Sequence, residues 1–162
     1  LFAHAAHAAV GQMRKYTGEP YITHPAEVVE IVRGVSHSEE MLAAAWLHDT
    51  VEDTAVSVEM IADHFGAPVA EMVTMLTNVS QPHDGDRATR KALDRAHIAT
   101  ATPQAKTIKL ADVISNTQSI AERDPDFAQV YLAEKAALLE VLRKGDSVLW
   151  RRAYGIVRQT ST

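Results

Sequence analysis

Residues 38–54 read SEEMLAAAWLHDTVEDT, and this stretch decides the fold. Ser38 followed by Glu39 and Glu40 is a helix start: a hydroxyl able to accept from a backbone amide, then two acids at the positive end of the peptide dipoles. The run from Met41 to Leu47 is wholly apolar, with Met41, Leu42, Ala45 and Trp46 placed to form an inner face. His48, Asp49, Glu52 and Asp53 then bring four ionisable groups into six residues. A buried helix that ends in such a cluster is the unit from which the rest of the chain is read.

The same helical grammar recurs on both sides. An Ala-rich helix is expected over residues 2–13, and His24-Pro25 opens another whose stripe is Val28, Val29 and Val32. Ser57 caps a helix carrying Ile61 and Phe65 that stops at Gly66, and Pro68 starts one with Val69, Met72, Val73 and Leu76. The stretch from Asn78 to Asp86 is a long loop. Helices follow near 87–99, from Thr102-Pro103 to Ile120, from Asp124-Pro125 to Lys144, and from Asp146 to about Gln159. Period-2 alternation is nearly absent, and no repeat or linker interrupts the chain. The expected fold is all-α, a single domain over residues 1–162.

Composition narrows the function classes. With 162 residues, 46% apolar and 23% charged, the chain can bury about two-thirds of its open surface and is not disordered. The longest apolar run has seven residues, against about 18 for a membrane span. No basic segment followed by a hydrophobic stretch marks a leader, and the chain opens on Leu1, so further N-terminal residues are expected. Without cysteine there are no disulfides or thiolate metal sites. A net charge of −5 speaks against a nucleic-acid partner, but it hides an asymmetry. Residues 1–86 hold 3 basic and 13 acidic side chains, and residues 87–162 hold 13 and 8. Acids and imidazoles in one half and cations in the other suit a metal brought to a polyanion. Oligomeric state is not readable; Trp150 and Tyr154, four apart, are expected in the core.

Four features carry chemistry. His48-Asp49 offers an imidazole nitrogen and a carboxylate oxygen at a helix end, donors for Mn²⁺, Fe²⁺ or Zn²⁺; a surface His–Asp pair is the alternative. Glu52-Asp53 is either a solvated acidic turn or a pair poised beside a metal-bound water as acid and base. His24 is fixed between Pro20 and Pro25, as a ligand or as a helix cap. Asp112 shares its stripe, within about 40°, with Ala105, Ile108, Asn116 and Ser119. A carboxylate there must be paired or bind a metal.

The segments GQMRKYTGEPYITHP (11–25), LHDTVEDT (47–54), HFGAPVAEMV (64–73) and IKLADVISN (108–116) resemble the HD hydrolase domain of RelA/SpoT-type alarmone enzymes, and the length resembles their stand-alone small hydrolases. The resemblance covers about residues 2–145. It implies a helical HD fold, cytoplasmic location and one divalent ion, typically Mn²⁺, on His24, His48, Asp49 and Asp112. It implies that Glu52 and Asp53 position or activate water, and that the substrate is a small nucleotide: ppGpp or pppGpp loses its 3′-pyrophosphate. Arg14 and Lys15 match the family's basic pair at the base and pyrophosphate. Asn116 matches an amide near the nucleotide, and Ser119 keeps the hydroxyl of a common Thr. Arg90 and Lys91 match a phosphate-side basic pair, and Tyr131 matches a pocket-wall aromatic. Val113 departs from the basic residue often found after the KLAD aspartate. Alternative substrates are an adenosine alarmone such as ppApp, or NADPH; a different class is a silent nucleotide-sensing module. His4, His7, His37, His64, His83 and His97 match no motif and are expected at the surface or at caps.

Overall fold

A computed structural model describes residues 1–15, 18–123 and 125–160. Among them there are helices and no strand; a lone antiparallel bridge pairs Met13 with Pro20. The helices are α1 (Phe2–Ala9), α2 (Thr23–Arg33), α3 (Glu39–Leu47), the single turn α4 (Thr50–Asp53), α5 (Val58–Phe65), α6 (Ala67–Leu76), α7 (Arg87–Ala99), α8 (Pro103–Arg123), α9 (Pro125–Val141) and α10 (Ser147–Thr160). A short 3₁₀ turn, Pro82–Asp84, lies inside the expected loop.

Local chemistry sets the boundaries. The Ser38 hydroxyl accepts from the Met41 amide at 3.2 Å, Ser57 from Met60 at 3.2 Å, and the Asp86 carboxylate from Thr89 at 2.8 Å. Each satisfies an amide that the first helical turn leaves without a partner. Asp146 caps α10 through the amides of Val148 and Leu149. The expected cap of α9, Asp124, lies outside the described residues. α1 ends four residues short of the expected limit, because Val10 and Gly11 (φ +64°) turn the chain into the hairpin closed by Met13 and Pro20.

α8 is the axis of the domain, packed by α2, α3 and α6 on one side and by α9 and α10 on the other. Ile108, Leu110, Ala111, Val113 and Ile114 are all buried, so Val113 serves as core. Val28, Val29 and Val32 face it from α2, and Met41, Leu42 and Ala45 line the same core from α3. The α9–α10 turn presses so closely on α8 that a Cβ on Gly145 would stand 2.8 Å from Leu110 Cδ1 and 3.1 Å from backbone atoms of Lys106 and Thr107.

Two apolar sites lie at the rim, and the expectation of a core place for Trp150 and Tyr154 holds only in part. Phe65 is 38% exposed and sets its ring edge-on to Phe2, because α5 is short and its end lies at the rim. Trp150 and Tyr154 stack on each other at 5.0 Å on the outer side of α10; the indole N–H donates to the Leu139 carbonyl at 2.8 Å, and Arg143 covers the ring. Trp150 is half-buried against the edge of the core, while Tyr154 is exposed.

Candidate metal centre

Three parts of the chain meet at one point: the first turn of α2, the break between α3 and α4, and the middle of α8. They bring His24, His48, Asp49 and Asp112 together, one ligand atom from each, all within 4.8 Å of one another. A divalent ion with bonds of 2.0–2.2 Å spaces its ligands by about 3–4 Å, so the cluster has the scale of a coordination sphere. His48 closes α3, and the chain then re-enters α4 at Thr50. That break lets two adjacent side chains, which a continuous helix would point about 100° apart, face one spot.

The hydrogen bonds fix which nitrogen each imidazole offers. His48 Nδ1 donates to the Ala45 carbonyl at 2.7 Å, so Nε2 is the nitrogen that faces the cluster, buried, 3.0 Å from Asp49 Oδ2 and 3.4 Å from Asp112 Oδ1, and these carboxylates favour a proton on the ring. The Ser115 hydroxyl donates to Glu27 Oε2 at 2.6 Å, so its oxygen accepts from His24 Nδ1 at 3.0 Å. His24 Nε2 is thereby directed at the cluster, 2.9 Å from Asp112 Oδ1 and 3.7 Å from Asp49 Oδ2. Two buried carboxylates facing two imidazole nitrogens need positive charge between them, supplied by protons on the rings or by a metal ion in their place, and the two-nitrogen, two-oxygen set suits a borderline-to-hard divalent ion.

Surrounding groups hold the carboxylates ionised. Burial alone would raise Asp112, but the Lys109 ammonium, 2.9 Å from Oδ2, and the two imidazoles hold it well below the usual carboxylate range. Asn116 donates to its other oxygen at 3.1 Å. Burial likewise opposes the charge on Asp49; His48 overcomes it and holds the carboxyl low. Tyr21 donates its hydroxyl to Asp49 Oδ2, and its phenol is pushed far up, by burial first and then by Asp49, so it stays a neutral donor.

Glu52 and Asp53 lie on the solvent side of the cluster. Both carboxyls are raised above their ordinary values, by desolvation first, with Asp49 adding to it. The backbone amide of Asn78 donates to Glu52, and Gln12 Nε2 donates to Asp53 Oδ2 at 3.2 Å. A carboxyl tuned upward beside a candidate metal site is a better proton acceptor than an ordinary one.

A cavity of ≈ 190 Å³ opens beside His24, lined by Arg14, Lys15, Asn116, Ser119 and Tyr131 among others. Arg14 is also committed inward: it is buried, and its Nη1 donates to Glu27 Oε1 at 2.9 Å, which links it through Ser115 to His24. Arg90 and Lys91 do not line this cavity. Arg90 is half-buried with its Nε lacking a partner, and Lys91 lines a second cavity on the far side of Lys109. His7 is not at the surface as expected: it is 1% exposed, packed against the Tyr21 ring, and paired with Gln12 Oε1 at 2.8 Å.

Tyr21, Glu27, Lys109 and Ser115 escape a reading by motif, yet each stands three residues from a proposed ligand, His24 or Asp112. Helical neighbours at that spacing share a face.

A family model described as HD domain matches residues 1–139. The chain is 35% identical over 128 residues to a probable guanosine-3′,5′-bis(diphosphate) 3′-pyrophosphohydrolase of Synechocystis, covering 77% of this chain and 16% of that protein. It is 38% identical over 112 residues to the guanosine-3′,5′-bis(diphosphate) 3′-pyrophosphohydrolase MESH1 of Danio rerio, covering 67% of this chain and 60% of that one. Among solved structures, a metazoan ortholog of SpoT that hydrolyzes ppGpp superposes with a TM-score of 0.86 at 29% identity, over 98% of this chain and 90% of the other.

Proposed function

The chain belongs to the HD-domain family, and on that premise we propose that it is a metal-dependent hydrolase of guanosine 3′,5′-bis(diphosphate), releasing GDP and inorganic pyrophosphate from a single domain spanning residues 1–162. Relatives that carry this activity in their names support the reading. The observation that carries it is adjacency: four convergent ligand atoms lie against a cavity lined by Arg14, Lys15, Asn116 and Ser119.

His24, His48, Asp49 and Asp112 would hold a divalent ion, for which Mn²⁺ suits the donor set, and that ion would supply charge neutralisation at the phosphate and lower the pKa of a water. The remaining work falls to the chain. Glu52 or Asp53 takes a proton from the attacking water, whose oxygen adds to the proximal phosphorus of the 3′-diphosphate. The bond from that phosphorus to the ribose 3′-oxygen breaks, the 3′-oxygen takes up a proton, and the water oxygen departs in pyrophosphate. Arg14, Lys15, Asn116 and Ser119 hold the nucleoside side. Arg90 and Lys91 belong to the phosphate side.

The test is incubation of the purified protein with Mn²⁺ and ppGpp, pppGpp, ppApp or NADPH in parallel, with the products separated by ion-exchange chromatography. GDP and pyrophosphate from ppGpp are expected. Orthophosphate released from NADPH, with ppGpp intact, would overturn the assignment.

A further inference from the structure

The second cavity begins where the metal cluster ends. Its wall includes Lys91 from α7, Lys109 from α8, Lys135 and Glu134 from α9, with Asp94 and Asn78. Lys109 joins it to the cluster, since its Nζ donates to Asp112 Oδ2 while Oδ1 of the same carboxylate lies against His24. Asn78 joins it to the other edge, through the amide that donates to Glu52. Lys135 joins it to the nucleotide cavity: its Nζ rests 4.8 Å above the ring of Tyr131, which lines that cavity.

The charges do not balance within it. Glu134 is held by Arg87 through bonds of 3.0–3.1 Å. Asp94 accepts from the amides of Val79 and Ser80 at 2.9 Å and from the Ser80 hydroxyl at 2.7 Å. Lys109 has Asp112. Lys91 and Lys135 form no ion pair among the described residues. Burial, followed by the Lys109 charge, pushes the Lys135 amine down to about 7, and burial with Arg87 lowers Lys91. A cluster of desolvated amines that repel one another is a site for an anion of several charges, with oxygens enough to meet more than one ammonium.

We propose that Lys135, which neither the motif nor the family resemblance points to, joins Lys91 of the phosphate side in this cavity, reached from the metal cluster past Lys109, and receives the distal phosphate of a 3′-diphosphate. This deepens the hydrolase assignment and rests on it. With the proximal phosphate at the cluster, the next phosphate along the chain meets these amines, and a phosphomonoester leaves them empty. Lys135 is thus a specificity residue for pyrophosphate esters over monoesters, and a holder of the pyrophosphate product.

The experiment compares the metal-loaded wild type with Lys135→Met and Lys135→Arg at fixed free metal. Inhibition of ppGpp hydrolysis is titrated with inorganic pyrophosphate and separately with GDP, and pyrophosphate binding is measured by calorimetry without turnover. Lys135→Met is expected to weaken both pyrophosphate readouts by about tenfold, the scale of one charge-assisted hydrogen bond. GDP inhibition stays unchanged, and Lys135→Arg restores most of the loss. An unchanged pyrophosphate constant in Lys135→Met, an equal loss for GDP, or a loss that arginine does not restore overturns the subsite. If the wild type turns over no ppGpp, the hydrolase assignment fails, and calorimetry still decides whether Lys135 holds pyrophosphate.

Discussion

His24 and Ser115, 91 positions apart in the chain, share a hydrogen bond of 3.0 Å that decides which imidazole nitrogen faces the metal cluster. Because the serine proton is given to Glu27, the serine oxygen can only accept from the ring. Ser115→Ala removes that acceptor and leaves both the ring N–H and the Glu27 carboxylate short of a partner. Metal affinity is expected to fall by about ten- to a hundredfold, read by competition with a chromophoric chelator. Ser115→Thr keeps the hydroxyl and retains most of the affinity. Equal affinity in the alanine variant would falsify this role.

Ligands and proton-transfer groups separate by what each loss removes. His48→Ala and Asp49→Ala are expected to abolish both bound metal and turnover while helical content by circular dichroism is kept. Glu52→Gln is expected to keep the metal and lose about 10²–10⁴-fold in kcat, the usual share of a general base. Wild-type kcat in Glu52→Gln moves the role to Asp53.

His7 braces Asp53 through one intermediary. Gln12 donates its amide N–H to Asp53, so its carbonyl faces His7 and accepts from Nδ1. His7→Ala is expected to lower kcat by about ten- to a hundredfold with KM little changed, as for a misplaced catalytic group. His7→Asn places an amide donor near the position of Nδ1 and recovers much of the rate. A purely structural role for His7 predicts equal loss in both variants.

Lys135 makes stability depend on pH in a stated direction. Its amine is pushed from 10.5 down to about 7, so between these values the folded chain holds fewer protons at this site than the unfolded chain. Wild-type stability therefore gains from this group as pH rises from about 7 to about 10.5, and the unfavourable contribution is full below 7. Lys135→Met is expected to be more stable than wild type at pH 6 in urea unfolding, with the advantage shrinking toward pH 10. A constant difference across that range contradicts the shift.

Gly145→Ala tests the packing of the α9–α10 turn. Its Cβ would meet the Leu110 side chain and the α8 backbone, of which only the first can yield. A loss of about 1–3 kcal/mol in unfolding free energy is expected, the usual cost of overpacking.

Most of the helical layout is legible in the chain because its signals are local. The hydroxyl and carboxylate of Ser38, Ser57 and Asp86 each serve an amide three residues on, whatever the rest of the molecule does. The positions of His24, His48, Asp49 and Asp112 are legible because a motif in sequence order survives folding. Lys135 is different. On its own helix it looks like any solvated lysine, and only the docking of α7, α8 and α9 places three amines around one cavity. Tyr154 misses its expected core place for a related reason: hydrophobicity promises burial, while the outer face of a helix at the rim has no core to offer.

The cluster has one more consequence, for the cohesion of the chain itself. His24 and Asp112 stand 88 residues apart, and the chain contains no cysteine with which to tie such distant segments together. A single ion held by both would close that loop as a covalent cross-link does, and by chain-entropy reckoning a loop of this length is worth about 4–5 kcal/mol against the unfolded state. An ion proposed for the chemistry would then double as a staple between distant segments.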